Sequence, residues 1–426
     1  MPLTIAKQTL DNNQDLVNQL TRFARFSDLR SSAFYREHKD EIRTLLDEPR
    51  VYEFPGACPR LPSFLRVVEW NIERGARLQA IIKVLNSHDV LRFADLLLLN
   101  ELDDGMVRSY NLNVPFELSQ TLEAHAVFGI EYLELTKGTA QEAALPGENS
   151  RALHGNAILT RHDFSNREIV QLPRCENNFE AKERRIGGRI GIFLNIEIAG
   201  TTLTVANTHL DVVNTPRCRG RQMRAMLEAL EERLRAEAAE HHPVIVGGDL
   251  NTHTFGRGNR FRAMRNTAII LNSARRNLAS RLRRPETREP AIREFSNFGY
   301  TTESFNDRRA TSRTIVSNLD DTARLPRAVK WWINRRIPRE GLLLEFRLDW
   351  MAARGLRALV AGEMVDEQTG VASVDAQTIQ GLRTNGVPLS DHDPIVFDVA
   401  PGNSWQKAGG RRQNAESSRQ KAVGRK

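Results

Sequence analysis

The chain has 426 residues and a mass of 48.3 kDa, with 40% hydrophobic residues, 27% charged residues and a formal net charge of +8. This composition is ordinary for a globular protein with a hydrophobic core, so it excludes collagen-like and wholly disordered chains. The densest apolar run, residues 94–99, is far shorter than the roughly 18–20 residues of a membrane-spanning helix, and the first residues lack the apolar segment of a secretory signal.

The first 62 residues are predicted to form a helical extension followed by a linker. Leu16, Leu20 and Phe23 recur at the spacing of one helix face. Prolines at 49, 55, 59 and 62 then interrupt regular structure, which is typical of a linker. One large domain is predicted at 63–400.

Short apolar runs predict a series of strands with helices between them. The predicted strands are residues 65–71, 95–101, 127–135, 156–160, 190–198, 202–209, 244–249, 344–351, 356–360 and 394–399. The clearest helix is predicted at 217–241, where apolar residues share one face. Several strands are apolar almost throughout, which indicates burial on both faces. The pattern predicts an α/β fold with two packed sheets.

The positive charge is concentrated in an insert and in the tail. Residues 255–345 carry 20 basic and 9 acidic residues, a net charge of +11. Residues 401–426 carry +6 and contain little to bury, which predicts a disordered basic tail. The rest of the chain therefore has a net charge of −9. Two interpretations of the insert stay open: a surface that faces phosphates, or ordinary solvated helix faces, since 52 of the 61 basic residues are arginine.

The cysteines argue for a reducing environment. Cys58, Cys175 and Cys218 are odd in number, lie far apart and form no C-x-x-C pair. This spacing argues against a disulfide framework and against a cysteine-based zinc site. A cytoplasmic location is therefore expected.

Several apolar runs end abruptly in carboxylate, amide or imidazole side chains. The sequences are VVEWNIE, LLLLNELD, LTVANTHLD and VIVGGDLN. In addition, LEFRLDWM contains Asp349, and PLSDHDPIVF opens a strand with Asp391 and His392. Functional groups are often held at strand ends above a rigid sheet. Carboxylates and amides are hard oxygen ligands that suit Mg²⁺ or Mn²⁺, and histidine transfers protons near neutral pH. Each motif alone has a structural alternative, because G-D-x-N and S-D-H-D-P also form turns, but their joint occurrence favours a phosphate-processing metal site.

Taken in order, these motifs resemble the endonuclease/exonuclease/phosphatase superfamily, in its deoxyribonuclease/sphingomyelinase-like branch. The matching segments are WNIE (70–73), NELD (100–103), GNAILTR (155–161), NTHLD (207–211), GGDLN (247–251), RLDWM (347–351) and LSDHDP (389–394). The resemblance covers about residues 64–400. It implies a four-layer α/β/β/α sandwich of two mixed sheets, with the active site where the sheets meet at one edge.

The resemblance also implies a set of metal ligands. Glu101 corresponds to the principal ligand, and Asn71 to its partner. Asp391 corresponds to a further metal-site carboxylate. Glu73 lies where some members have a second acid. The implied cofactor is Mg²⁺ or Mn²⁺.

The catalytic roles carry over in the same way. Asp249 resembles the residue that orients or deprotonates the attacking water, and Asn251 the residue that contacts the scissile phosphate. His392 resembles the essential histidine, with Asp349 as its orienting carboxylate. His209 resembles a histidine that assists the leaving group or stabilises the phosphate.

Two further residues are predicted to bind substrate. Asn156 is expected to line the site, and Arg189 to meet a phosphate, although a surface arginine before a strand is the alternative. The chain also departs from the superfamily pattern: Asn100 stands where many members have glutamine, and NTHLD replaces the stretch typical of AP endonucleases.

The sequence therefore predicts a Mg²⁺-dependent hydrolase that cleaves phosphoesters by attack of an activated water. A nucleic-acid substrate is favoured slightly over phospholipids and sugar phosphates, because the insert and the tail are basic. A binding protein that keeps the fold without catalysis is the remaining alternative.

Overall fold

A computed structural model describes residues 13–400, apart from 139–140, 176, 199, 257–259, 273–274, 316–330 and 332–342. The predicted disordered tail, 401–426, lies outside the described residues. Strands and helices are numbered below in chain order.

The first sheet is mixed and contains eight strands. They are β1 (Arg50–Tyr52), β2 (Leu65–Arg74), β3 (Leu96–Asp104), β4 (His125–Glu134), β5 (Leu153–Thr160), β7 (Arg185–Gly187), β14 (Gln377–Thr378) and β17 (Ile395–Val399). The spatial order is β1-β4-β5-β3-β2-β17-β14, and β7 pairs with β4. β2 and β3 are parallel, whereas β17 runs antiparallel to β2. The carboxyl ends of β2 and β3 therefore lie at the same edge as the start of β17.

The second sheet repeats this arrangement. Its strands are β6 (Phe164–Gln171), β8 (Ile190–Ile198), β9 (Thr201–His209), β10 (Val244–Asp249) and β13 (Asp349–Arg354), in the order β13-β10-β9-β8-β6. β9 and β10 are parallel, and β13 runs antiparallel to β10. The ends of β9 and β10 therefore lie beside the start of β13.

The two sheets pack face to face, and helices cover both outer faces. Alternate side chains from each sheet, among them Val67, Leu98, Ile192 and Val205, form the core between the sheets. Helices α4 (Leu78–Ser87) and α5 (Val114–Leu122) cover the first sheet, and α6 (Pro216–Ala236) and α9 (Pro290–Asn297) cover the second. The prediction of a four-layer α/β/β/α sandwich with two mixed sheets is confirmed.

The helical extension is present and packs against the first sheet. It consists of α1 (Gln14–Thr21), α2 (Phe26–Ser31) and α3 (Ala33–Asp47). Leu16 and Leu20 are buried in the same core as β2 and β3, as their spacing predicts. The proposed division at residues 62 and 400 stays a prediction. None of the described helices has both the length and the apolar character needed to cross a bilayer.

The basic insert contains two further helices and a small sheet. These are α7 (Arg260–Asn272), α8 (Arg275–Arg283) and the pair β11 (Ser312–Ile315) and β12 (Leu343–Phe346), and two short pairing strands follow, β15 (Arg383–Thr384) and β16 (Val387–Pro388). Leu278 and Leu282 of α8 pack against Phe255 and Leu344 in a separate small core. The insert is therefore attached to the loop that follows β10.

Three strand and helix predictions were wrong in detail. Residues 344–351 form two strands in different sheets, because the chain breaks at the buried Arg347, which hydrogen-bonds to Asp307. Residues 356–360 form no strand and make only a bridge between Ala358 and Val399. The helix predicted at 217–241 ends at Ala236.

Candidate active site

Polar side chains from both sheets meet at one edge of the sandwich. Asn71 and Glu101 come from β2 and β3 of the first sheet, and His209 and Asp249 end β9 and β10 of the second. Asp349 begins β13, and His392 precedes β17. Because parallel strands present their carboxyl ends at one edge, and the antiparallel strands begin there, residues distant in sequence become neighbours.

Bulges turn two of the acidic side chains out of the strand alternation. The register of β3 against β5 shifts between Leu99 and Leu102, and Glu101 lies there with φ of 55°. β2 has a similar shift between Asn71 and Arg74, where Glu73 has φ of 48°. A left-handed backbone costs free energy for a residue with a side chain, and it is often retained at functional sites.

Asn71 connects the two acidic residues of opposite sheets. Its Nδ2 donates hydrogen bonds to Glu101 Oε1 at 3.2 Å and to Asp249 Oδ2 at 3.0 Å. Burial alone would raise the pKa of Glu101, but Arg74, His154 and Asn71 together hold it below its usual value. Glu101 is therefore a carboxylate at neutral pH.

The donors at this point fit a hard divalent cation. Glu101 and Asp249 supply carboxylate oxygens, and Asn71 supplies an amide oxygen whose present partner is the backbone N–H of Glu73. These oxygen ligands suit Mg²⁺ or Mn²⁺ better than a soft metal. Asp249, Asp349 and His392 also lie close enough for one atom of each to contact a common ion.

His392 is held on one side of Asp249. Its Nδ1 lies 2.8 and 2.9 Å from the two carboxylate oxygens of Asp349, and its Nε2 lies 3.7 Å from Asp249 Oδ2. Burial would lower the pKa of His392, but Asp349, Asp249 and Asp391 outweigh burial and raise the pKa well above its usual value. This imidazole is therefore protonated near neutral pH.

His209 lies on the other side of Asp249. Its Nε2 is 3.5 Å from Asp249 Oδ2 and 3.0 Å from Asn251 Nδ2. Burial, reinforced by the charge of Arg189, lowers the pKa of His209 well below its usual value. This imidazole is neutral, so its Nε2 accepts a hydrogen bond from Asn251.

Asp249 itself is poised to exchange a proton near neutral pH. Burial and the neighbouring Asp349 carboxylate raise the pKa of Asp249 to about 7, against the opposing charge of His392. Its Oδ1 accepts a hydrogen bond from the backbone N–H of Asn251 at 2.9 Å. The carboxyl is thus fixed in position while its second oxygen faces both histidines.

Two asparagines and two tryptophans hold the sheets and loops in register. Asn100 donates to Asn207 Oδ1 at 3.2 Å, and its own Oδ1 accepts from the backbone N–H of Asp249 at 2.9 Å. The indole of Trp70 donates to the carbonyl of His392, and that of Trp350 donates to Thr252 Oγ1, each at 2.9 Å. These side chains hold the strands and loops that carry Asp249 and His392.

Asn156 and Arg189 line the same region, together with an acid that the sequence analysis missed. Asn156 Oδ1 accepts from the backbone N–H of Glu101 at 3.3 Å, and its Nδ2 has no protein partner. Arg189 is buried, donates to Glu131 Oε2 at 2.8 Å and leaves Nε without a hydrogen bond. Glu131 Oε2 lies 4.0 Å from His209 Nδ1. A buried polar atom without a protein hydrogen bond, such as Asn156 Nδ2, is typical of a site that receives water or a ligand.

Glu73 and Asp391 lie at the outer rim. Glu73 Oε2 accepts a hydrogen bond from Arg77 Nη1 at 2.6 Å. Burial and the nearby Asp391 carboxylate raise the pKa of Glu73, and Asp391 itself is exposed. The two acids are therefore neighbours but lie outside the buried group formed by Asp249, Asp349 and His392.

The expectation that the chain contains no disulfide was wrong. Cys175, in the loop after β6, is bonded to Cys218 in the first turn of α6, at a sequence separation of 43. Cys218 Sγ lies 3.7 Å from Asp211 Oδ2, and Asp211 Oδ1 lies 3.4 Å from Arg189 Nε. Cys58 is the unpaired cysteine and is exposed.

Comparisons with known proteins give one family. The sequence matches the model of the endonuclease/exonuclease/phosphatase family over residues 68–392. A comparison with curated proteins finds no match.

Solved structures with a similar fold include three proteins of low sequence identity. An endonuclease/exonuclease/phosphatase from Beutenbergia cavernae is 17% identical, with 80% of this chain and 72% of that chain covered and a TM-score of 0.44. The human Nocturnin catalytic domain with bound sulfate is 15% identical, with 83% and 97% covered and a TM-score of 0.42. TDP2 from D. rerio, complexed with a single-strand DNA product, is 17% identical, with 80% and 100% covered and a TM-score of 0.41.

Proposed function

The chain belongs to the endonuclease/exonuclease/phosphatase family, and from this premise we propose that it is a divalent-metal-dependent hydrolase that cleaves phosphoesters. The observation that carries the proposal is the position of Asp249, whose Oδ2 lies 3.5 Å from His209 Nε2 and 3.7 Å from His392 Nε2. A carboxyl with a pKa of about 7 between a neutral and a charged imidazole suits general-base chemistry at physiological pH.

In the proposed reaction, Asp249 accepts the proton of the attacking water. Its Oδ1 accepts from the backbone N–H of Asn251, whereas Oδ2 accepts from Asn71 Nδ2 and faces both histidines. We assign the proton to Oδ2, because this oxygen lies on the side of the histidines. A fixed carboxylate holds the water in the orientation for attack, so the reaction does not depend on a chance encounter between water and phosphate. Water attack on phosphorus then forms one P–O bond as the bond to the leaving oxygen breaks.

The positive groups of the site balance the charge that develops on the phosphoryl oxygens. Protonated His392 can donate from Nε2, and the guanidinium of Arg189 adds positive charge. Asn251 Nδ2 donates to His209 and to the carbonyl of Leu210, and it would exchange one of these bonds to contact the phosphate. Charge stabilisation by preorganised donors in a buried site is often the largest contribution to catalysis. Asp349 keeps His392 oriented and protonated, so we assign it a positioning role.

Glu101 and Asn71 would hold a Mg²⁺ or Mn²⁺ ion, with Glu73 and Asp391 at the rim as additional metal-site acids. A bound divalent cation polarises the phosphoryl group and neutralises charge on it. The low pKa of Glu101 supports this assignment, because a metal ligand must be deprotonated.

For the substrate, we favour nucleic acid over phospholipids and sugar phosphates, because the insert at 255–345 has a net charge of +11. His209 in NTHLD favours the deoxyribonuclease/sphingomyelinase-like branch. The cytoplasmic location stays a prediction.

The proposal is tested with a panel of phosphoester substrates, each assayed with Mg²⁺, Mn²⁺ and Ca²⁺. We expect metal-dependent hydrolysis of at least one substrate and its loss in Asp249→Ala. The matched control is the exposed Glu367→Gln, which should keep wild-type activity. Absence of turnover on nucleic-acid, lipid and inositol substrates would instead support a binding protein.

A salt titration separates the substrate classes. Binding through a phosphate backbone weakens steeply as ionic strength rises, because counterions are released from the polymer. We therefore expect the Michaelis constant for a nucleic-acid substrate to rise steeply with salt concentration. A flat response would assign the enzyme to a small or lipid substrate.

A further inference from the structure

The insert places an unusually basic segment directly after the catalytic loop, by which we mean residues 250–256 that follow β10 and contain Asn251. From Phe255 to Pro285 the sequence contains nine arginines and no acidic residue. This segment includes α7, which begins nine residues after Asn251, and α8, which ends at Arg283.

The helices are bonded to the catalytic loop itself. Arg281 Nε donates to Thr254 Oγ1 at 2.8 Å, and its Nη2 donates to the carbonyl of Thr254 at 3.0 Å. Asn266 Nδ2 donates to the carbonyl of Gly256 at 3.0 Å. Since Thr254 lies three residues after Asn251, whatever binds this surface lies beside the reaction centre.

Several guanidinium groups of this surface are not neutralised. Arg265, Arg284 and Arg288 are exposed, and no carboxylate lies within ion-pair distance of them among the residues that the structure describes. Glu289, the nearby buried acid, already accepts two hydrogen bonds from Arg219. Partial burial and then the charges of Arg288 and Arg265 lower the pKa of Arg281, which supports a cluster of mutually repelling cations.

We propose that Arg265, Arg281, Arg284 and Arg288 form a docking surface for the phosphate backbone of a nucleic-acid strand whose scissile bond lies at Asp249. This inference rests on the proposed function and extends it to a substrate class. Guanidinium groups bind phosphates through paired hydrogen bonds, and closely spaced arginines match the regular charges of a polynucleotide.

The exposed apolar side chains favour nucleic acid over a membrane. In α7, Ile269 packs against the small core around Leu278, and Ala263 is buried. Phe261, 78% exposed, and Met264, 48% exposed, remain on its outer side. Among the described side chains of α7, Arg265 is exposed beside these two residues, so this side of the helix is charged as well as apolar. Bilayer insertion favours an apolar face, whereas one exposed aromatic ring is sufficient to stack on a base.

The test compares two triple variants of the full chain. Arg265→Gln, Arg284→Gln and Arg288→Gln together remove the surface charge, while Arg281 is kept because it holds Thr254. The matched control, Arg36→Gln, Arg167→Gln and Arg235→Gln, changes three other exposed arginines and the net charge by the same amount. Each is assayed on a long single-stranded oligonucleotide and on bis-p-nitrophenyl phosphate.

For the surface variant we expect the KM for the oligonucleotide to rise about tenfold or more relative to the control, as loss of several phosphate contacts predicts. The slope of log KM against log salt should fall by about 2, since each phosphate contact on a single strand contributes about 0.7. The change in KM for the small diester should be at least tenfold smaller than for the oligonucleotide.

Equal oligonucleotide KM values and salt slopes for the two variants, with the small diester still hydrolysed, would overturn the docking surface and leave the proposed function intact. If the wild type hydrolyses neither substrate, the proposed function fails. Fluorescence anisotropy with the same oligonucleotide then tests the docking surface separately. Weaker binding by the surface variant than by the control supports the docking surface, and equal binding overturns it. Binding of the wild type to phosphatidylserine vesicles but not to the oligonucleotide would overturn it in favour of a membrane.

Discussion

The two halves of the site contain the same kind of residue in opposite protonation states. His392 contacts both oxygens of Asp349 within 2.9 Å and is protonated. His209 lies 4.0 Å from the nearest oxygen of Glu131, beside Arg189, and is neutral. Both are buried, so burial does not explain the difference. The charges within a few ångströms decide it.

This difference assigns different tasks to the two histidines. A protonated imidazole can stabilise negative charge on a phosphoryl oxygen, whereas a neutral one can only accept or donate a neutral hydrogen bond. Hydrogen bonds that involve a charge are roughly twice as strong as neutral ones. The half of the site that contains His392 should therefore contribute more to catalysis.

The largest effect is expected from His392→Ala, which removes the charged donor. We expect kcat to fall about 10⁴-fold, at the upper end of the range for loss of an acid–base group. Steady-state hydrolysis of bis-p-nitrophenyl phosphate measures it. The exposed His241→Ala is the control and should retain wild-type kcat. If kcat falls less than tenfold in folded His392→Ala, the charged histidine does not contribute more to catalysis than the neutral one.

Asp349→Asn should have the next largest effect and should change the pH profile. We expect kcat to fall about 10²–10³-fold, because the imidazole loses its orienting carboxylate. The pKa of His392 lies above its usual value in the wild type, so the protonated form is lost only as pH rises through that raised pKa. Without Asp349, that pKa falls, and the alkaline limb of log kcat against pH moves to lower pH.

The control for this shift is Asp163→Asn, which changes an exposed carboxylate. Its alkaline limb should coincide with that of the wild type. An unmoved limb in Asp349→Asn would mean that His392 does not set the alkaline side of the profile.

His209→Gln should have a smaller effect, because a neutral hydrogen-bonding group is replaced by another. We expect kcat to fall about 10–10²-fold, as the hydrogen bond to Asn251 Nδ2 at 3.0 Å is disturbed. The pH profile should keep its shape, since the pKa of His209 lies well below its usual value. Displacement of the alkaline limb in this variant would show that His209 carries a titrating proton.

Glu131→Gln should have the smallest effect. The amide oxygen still accepts from Arg189, so we expect a change of less than about tenfold in kcat, and a rise in KM if Arg189 loses its orientation. Glu228→Gln, an exposed acid on α6, serves as the control. A loss as large as that of Asp349→Asn would make the two halves of the site equivalent.

The position of most of the candidate site could be predicted from the sequence. Asn71, Asp249 and His209 each end an apolar run, and parallel strands bring such ends to one edge whatever the loops between them do. Glu101 could be located in the same way. The bulge at Glu101 could not be predicted from the sequence, because a register shift depends on how β3 pairs with both neighbouring strands.

Other parts of the site depend on packing that no local pattern records. Glu131 lies inside the apolar run VFGIEYLEL, where one acid is equally compatible with a solvent-facing position. The burial of Arg189 depends on Glu131 and Asp211, which belong to different strands and loops. Cys175 and Cys218 meet only because the loop after β6 reaches the start of α6.

The position of β17 has a consequence for the protein during its synthesis. This strand comes last among those described, yet it lies inside the first sheet between β2 and β14. A polypeptide still attached to the ribosome already contains Asn71 and Asp249, and β2 can already pair with β3, while its antiparallel partner β17 is untranslated. Until β17 pairs with β2, His392 has no fixed place, so the buried group of Asp249, Asp349 and His392 is assembled only when the last described strand joins the sheet.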